Sequence, residues 1–328
     1  MLPQLLKFLN RNTTPFRIPN WYSAKRGRPD LLHCRVRRLI INADDLGLTR
    51  GVNRGILHAR DAGAVTSATL MANSGAFEDA VELAKSGPQN REFGVGAHVV
   101  LVDGEPVLPG DRVSTLLAPG ETSRFRNSLS AFALAALRGR IRTDEVEAEA
   151  FAQFQKIQAA GIRLSHFDAH KHAHVFPAVL KPLLRAAKAC GVRALRNPFA
   201  PLKPLAFAHL ARRPHLWKRY SEVKVLRGLS ARFRELVKQE GMVTTDGTFG
   251  IVATGALDTA LFEAIVGCIP EGTWEFCCHP GYNDAELAAV RTRLRESRSQ
   301  ELEVLGSESA REAIRRHGID LISYWDLQ

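Results

Sequence analysis

The chain has no unbroken run of about 18 apolar residues, so no segment is expected to span a bilayer as a helix. Cysteine is sparse. Cys34, Cys190, Cys268, Cys277 and Cys278 are odd in number and form neither a CxxC pair nor a framework spacing, which excludes a disulfide-stapled fold and fits free thiols in a reducing, cytoplasmic setting. The opening residues lack the continuous apolar core of a secretory signal. They also lack acid: residues 1–40 hold nine Lys or Arg against Asp30 alone, although the whole chain carries only +11. Most of the protein is therefore near charge balance, and no nucleic-acid-binding body is expected. Residues 1–35 read as a flexible basic extension. Leu2, Leu5, Leu6, Phe8 and Leu9 ahead of its charges suit peripheral contact with an anionic inner-membrane surface.

At 328 residues and 45% hydrophobic content, the chain is long and apolar enough to bury a large α/β core. Short β-rich runs at 38–43, 65–71, 93–101, 164–169, 192–196, 273–278 and 320–325 predict buried strands. Helical patterns fall between them, near 51–62, 76–86, 143–160, 177–190, 229–240, 257–268, 284–304 and 308–317. About seven βα units in succession predict parallel strands in a closed or nearly closed barrel. Two stretches interrupt the rhythm after strands: 102–140, rich in Gly, Pro and Arg, and 198–228, where Phe199, Leu205, Phe207, Leu210, Leu216 and Trp217 look exposed among basic residues. The expected organisation is thus a 36–328 barrel domain carrying two inserted segments.

Chemistry gathers at the ends of the predicted strands. Asp44 and Asp45 follow the run Ile40-Ile41-Asn42-Ala43, and two adjacent carboxylates disfavour each other's ionisation unless a cation or proton separates their tasks. Strand alternation places His166, Asp168 and His170 on one face, and His172 and His174 follow at once. His98 and His279 close two further strands. Each motif has an ordinary use alone: an Asx turn for the aspartates, core packing for His98, a turn for His279. Together they suit a divalent cation held by one carboxylate and two imidazoles, with the second carboxylate free to take a proton from water and His279 free to protonate a departing amine. Spacing alone does not order the two aspartates.

The motifs Asn42-Ala43-Asp44-Asp45-Leu46-Gly47, Gly96-Ala97-His98, His166-Phe167-Asp168-Ala169-His170-Lys171-His172-Ala173-His174 and Cys278-His279-Pro280 resemble those of the YdjC-like carbohydrate deacetylases over about residues 36–328. The stretch from Val99 to Pro109 is closest to the hopanoid-biosynthesis-associated branch, HpnK. The resemblance implies an irregular, TIM-like (β/α) barrel related to the NodB-type polysaccharide deacetylases. It also implies hydrolysis of the amide of an N-acetylated amino sugar, on a glycosylated hopanoid lipid or, alternatively, a soluble chitooligosaccharide such as diacetylchitobiose. By the same resemblance Asp45, His98 and His170 are metal ligands, Asp44 is the base, His279 the acid and Arg196 the residue orienting the base; His166, Asp168, His172 and His174 contact substrate or support the ligands. Leu46 departs from the family's usual Phe, an apolar exchange expected to alter packing only. The family's metal is magnesium in common description, whereas two imidazoles favour zinc. A nonenzymatic metal-binding protein whose basic arm contacts nucleic acid or a membrane is the alternative of a different class.

Overall fold

The computed structural model describes residues 36–86, 93–201, 203 and 205–328; the basic extension 1–35 lies outside the described residues. Short runs form β1 (Arg37–Leu46), β2 (Ser67–Leu70), β3 (Gly94–Val99), β4 (Phe167–Ala169), β5 (Ala194–Leu195), β6 (Val243–Thr244), β7 (Gly247–Phe249), β8 (Gly272–Cys278) and β9 (Ile319–Leu321), and β2 to β5 and β7 are buried on both faces, as parallel strands covered by helices are. They pair in the order β6-β5-β4-β3-β2-β1-β8-β7, with β9 beside the first residues of β1, and every pairing is parallel. The outer strands β6 and β7 are consecutive in the chain. β6 pairs with β5, and the chain after β5 bridges the remaining gap to β7: Thr248 N–H donates to Phe199 O at 3.1 Å, Thr248 Oγ1 to Asn197 O at 2.6 Å, and Asn197 Nδ2 to Thr245 O at 3.0 Å. The result is a nearly closed, TIM-like α/β barrel, as the βα rhythm predicts.

The expected seven strands are nine among the described residues. β6 and β7 contain two and three residues, too few to show a period. The expected strand at 320–325 stops at Leu321, because Ser323 and Asp326 form a capping box that starts a 3₁₀ turn at Tyr324–Leu327. The helix expected over 284–304 is two, Ala285–Ala289 and Glu296–Gly306. The insertion 102–140 buries Phe125 and Phe132 and holds helix Leu129–Leu137. In 198–228 the apolar residues that look exposed in sequence are mostly interior: Phe199, Leu205, Leu210 and Leu216 are 3–5% accessible, and Trp217, at 46%, is open. The four interior side chains join the main hydrophobic core of the barrel.

The 3₁₀ turn closes the floor of the barrel. Tyr324 is fully buried, packs with Ile40 and Ala194, lies parallel to the His166 ring at 3.6 Å between centroids, and donates its hydroxyl to Glu275 Oε2 at 2.6 Å. Removing that hydroxyl withdraws a donor from a buried carboxylate. Tyr324→Phe is therefore expected to cost about 1–3 kcal/mol and Tyr324→Ala about 3–5 kcal/mol in urea unfolding. A Phe variant as stable as the parent would show that Glu275 is satisfied without the tyrosine.

Candidate active site

Above an apolar floor of Ile40, Ala194 and the Tyr324 ring, the inner face of the barrel is polar up to the mouth. Alternation along β1 turns Ile40, Asn42 and Asp44 inward, and each meets partners from other strands. Asn42 accepts from His166 Nε2 at 3.1 Å and donates through Nδ2 to Asp44 Oδ1 at 3.0 Å, while Ser165 Oγ lies 2.8 Å from His166 Nδ1. Gly96 of β3 makes room for this layer, since a Cβ there would sit 2.5–2.8 Å from the His166 ring. Burial, with the Arg196 charge added, depresses the His166 pKa and keeps the imidazole neutral.

At the mouth the strand alternation breaks. The β1–β2 register shifts between Ala43 and Leu46, and Asp45 takes a left-handed conformation, φ 68°, which Asp tolerates better than most residues. Two neighbours that would point apart in a regular strand can then serve one cavity. Asp45 Oδ1 lies 3.4 Å from His98 Nε2 and 3.3 Å from His170 Nδ1, and the two ring nitrogens are 3.1 Å apart. His98 Nδ1–H donates to Asp168 Oδ1 at 2.6 Å, which leaves Nε2 as an acceptor in the neutral ring. A carboxylate oxygen and an imidazole lone pair then face each other and His170 Nδ1, so a cation or a proton must lie between them. With no metal, the proton is favoured: burial opposes the imidazolium of His98, but Asp168, Asp45 and Asp44 outweigh it and push the pKa up to about 10. These donors suit a divalent cation with open positions. A second possible group, Asp44 with His98 and Asp168, is already engaged by an arginine.

That arginine is Arg196, fully buried just past β5. Its Nη2 and Nη1 grip Asp44 at 2.6 and 2.7 Å, Nη1 reaches Asp168 at 2.5 Å, and Nε and Nη2 reach Glu275 at 2.7 and 2.6 Å. Burial would raise the pKa of Asp44, yet the charge and hydrogen bonds of Arg196, helped by His98 and His279, hold it well below the carboxylate range. Burial wins at Glu275, whose pKa is raised despite Arg196 and Tyr324. His279 closes the group, with Nε2 3.8 Å from Asp44 Oδ2. Burial pushes its pKa down to about 4 against the pull of Asp44 and Asp45.

A family model described as YdjC-like protein matches residues 38–316. The chain belongs to the YdjC-like family. A carbohydrate deacetylase from Geobacillus stearothermophilus is 32% identical over 88% of this chain and 97% of its own length, and carbohydrate deacetylase 1 of Listeria innocua is 30% identical over 88% and 100%. A solved structure from Enterococcus faecalis, described provisionally as a cellobiose-phosphate cleavage protein, superposes with a TM-score of 0.70 at 26% identity and covers 89% of this chain and 99% of that one. These relatives agree with the expectation of an amide-hydrolysing enzyme and leave the nonenzymatic alternative without support.

Of the remaining histidines in this YdjC-like chain, His172 lies at the rim and His174 behind it, their ring centroids 6.3 Å apart. Lys171 and His172 are both left-handed, φ 54° and 56°, on the loop after β4, and Lys171 is tied to Asp103, itself at φ 60°, by an ion pair of 2.6 Å. Burial pushes the half-buried His172 down to about 3. His174 is fully buried, with its ring 6.3 Å from that of Phe233. Two residues of helix Glu296–Gly306 had no motif to announce them. Arg298 Nη2 donates to Asp45 Oδ2 at 2.5 Å, and Glu301 Oε2 accepts the His279 N–H at 2.5 Å. In sequence an Arg and a Glu one turn apart look like a solvated helix face, and here both are buried.

Burial pushes Glu301 up from 4.5 to about 7, against the His279 N–H and the Arg298 charge. An acid raised in this way stabilises the fold while protonated, and the contribution is lost as pH rises from 4.5 through about 7. Glu301→Gln stays neutral. Its melting temperature relative to the parent should therefore improve between about pH 5 and about pH 8 in chelator-treated protein; melting differences independent of pH would mean that Glu301 is ionised throughout.

Proposed function

We propose that this chain is a metal-dependent deacetylase that hydrolyses the N-acetyl group of an amino sugar, carried by the convergence of Asp45 Oδ1, His98 Nε2 and His170 Nδ1 within 3.1–3.4 Å of one another at the barrel mouth. Those three residues would hold the cation, which when bound polarises the acetamide carbonyl and acidifies a water. The two imidazole nitrogens favour zinc over magnesium. Asp44 is the base. Arg196 keeps it ionised and fixes both oxygens, so its proton affinity is low and a proton received from water passes on readily. His279, neutral at pH 7, is the next station: its Nε2, 3.8 Å from Asp44 Oδ2, takes the proton and gives it to the sugar nitrogen. Hydroxide adds to the acetyl carbon, the C–N bond breaks, and acetate and a free amine leave. Asp168 holds His98, while His166 and His172 line the floor and the rim.

The substrate we favour is an N-acetylated sugar on a hopanoid, approached from the cytoplasmic side, because Val99 to Pro109 resembles that branch and the basic extension suits an anionic surface. A soluble chitooligosaccharide is the second reading. It is favoured by the burial of Leu205, Leu210 and Leu216, which leaves 198–228 with little apolar surface for a lipid, and by the sugar named for the Enterococcus structure. Among the described residues no helix is long and apolar enough to cross a membrane.

Asp44→Asn is expected to keep stoichiometric metal while acetate release falls by about 10²–10⁴-fold. Retained turnover would remove Asp44 from the role of base. His98→Ala combined with His170→Ala should lose the metal measured by elemental analysis, and a full equivalent in that variant would reject the ligand set. Acetate release from a glycosylated hopanoid, with sedimentation on anionic liposomes that is lost on deleting residues 1–35, supports the lipid reading; turnover on diacetylchitobiose without liposome binding decides for the soluble sugar.

A further inference from the structure

The two oxygens of Asp45 face different ways. Oδ1 points to His98 and His170, whereas Oδ2 accepts from Arg298 Nη2 at 2.5 Å. Arg298 is 1% accessible, its Nε donates to Leu294 O at 3.2 Å, and its Nη1 has no hydrogen-bond partner among the described residues. A buried guanidinium with an unused N–H is costly, about 1–3 kcal/mol for the unmade bond, and stability alone gives little reason to keep it. The helix that carries it is also keyed to the site, because Arg298 O accepts the Gly281 N–H at 3.2 Å and Glu301, one turn on, holds the His279 N–H. One helical turn thus sets the position of a carboxylate on β1 and of the histidine after β8.

A carboxylate beside a divalent cation can offer one oxygen or both, and the second oxygen takes a coordination position that water or a substrate carbonyl would otherwise fill. We propose that Arg298 is a positioning residue that divides Asp45, reserving Oδ2 for the guanidinium so that Oδ1 alone faces the cation. This rests on the metal-dependent reading above. Arg298 need not touch substrate. It acts by keeping open the places where substrate and water bind.

The test uses the full-length protein, loaded with Co²⁺ as a spectroscopic probe, as the parent and as Arg298→Met, Arg298→Gln and Arg298→Lys. Metal content, visible d–d absorption and the kinetics of acetate release are measured on the same preparations. In the Met and Gln variants one equivalent of cobalt should remain, the d–d bands should weaken as the coordination number rises, and kcat should fall by about 10–100-fold with KM changed by less than about threefold. The Lys variant, still able to donate to Oδ2, should recover the parent spectrum and most of kcat. If the Met variant fails to fold, the shorter Gln, whose amide stops short of Oδ2 where Nη2 now sits, and the Lys rescue decide. Parent spectra and parent kcat in folded neutral variants would overturn the proposal, as would loss of the cation from them, because the role would then be retention of the metal and not division of a ligand. A parent that binds no metal and releases no acetate would overturn the underlying reading and the proposal with it; a parent that does both beside unchanged variants would overturn the Arg298 role alone.

Discussion

Two adjacent carboxylates buried in one barrel must each have a cation of their own, and much of the interior follows from meeting that demand. Asp44 has Arg196 and Asp45 has Arg298, each at 2.5–2.7 Å and each almost free of solvent contact. Removing either arginine would leave an uncompensated buried charge, a far larger loss than the modest net worth of the intact pair. Arg196 in turn needs more than one anion around its five donors, and Asp168 and Glu275 supply the rest. The chain continues outward: Asp168 orients His98, Glu275 takes the Tyr324 hydroxyl, and Tyr324 stacks on the histidine that holds Asn42 against Asp44. The floor of the barrel and its reactive mouth are one hydrogen-bonded system.

The separate duties of the aspartates depend on a backbone irregularity. A regular strand would send Asp44 and Asp45 to opposite faces. The left-handed Asp45 and the register shift beside it let one carboxylate stay with the interior arginine while the other turns toward two histidines. Asn53 holds the turn in place, accepting the Gly47 N–H at 2.6 Å and donating to Ala76 O and Asp79. Strain of this kind persists where the surroundings over-determine it, often at reactive centres.

Much of the barrel was legible in the sequence because repeated βα units are a local pattern, and the candidate site was legible because Asp44, Asp45, His98, His170, Arg196 and His279 all stand at strand ends. What escaped is what no local pattern encodes. β6 and β7 are too short to carry a period, and the break at 290–295 divides a helix whose composition favours continuity. Tyr324 reads as a strand residue, yet a capping box one residue earlier turns it into the floor. Arg298 and Glu301 carry the residue types of an exposed helix surface, and only the barrel geometry shows that they face Asp45 and His279. The basic residues at 198–228 suggested an open apolar face, where the fold instead buries Leu205, Leu210 and Leu216.

The order of the charges along the chain has a consequence for assembly. The three candidate ligands, and Asp44 and Asp168 beside them, all fall between residues 44 and 170, whereas the cations that neutralise the carboxylates come from 196 and 298. β1 itself pairs with β8 and β9, more than 230 residues further on. The first half of the barrel thus holds three carboxylates and two imidazoles, and the arginines that balance the carboxylates both lie in the second half. The site is therefore also a fastener, whose ion pairs join the early strands to the late ones.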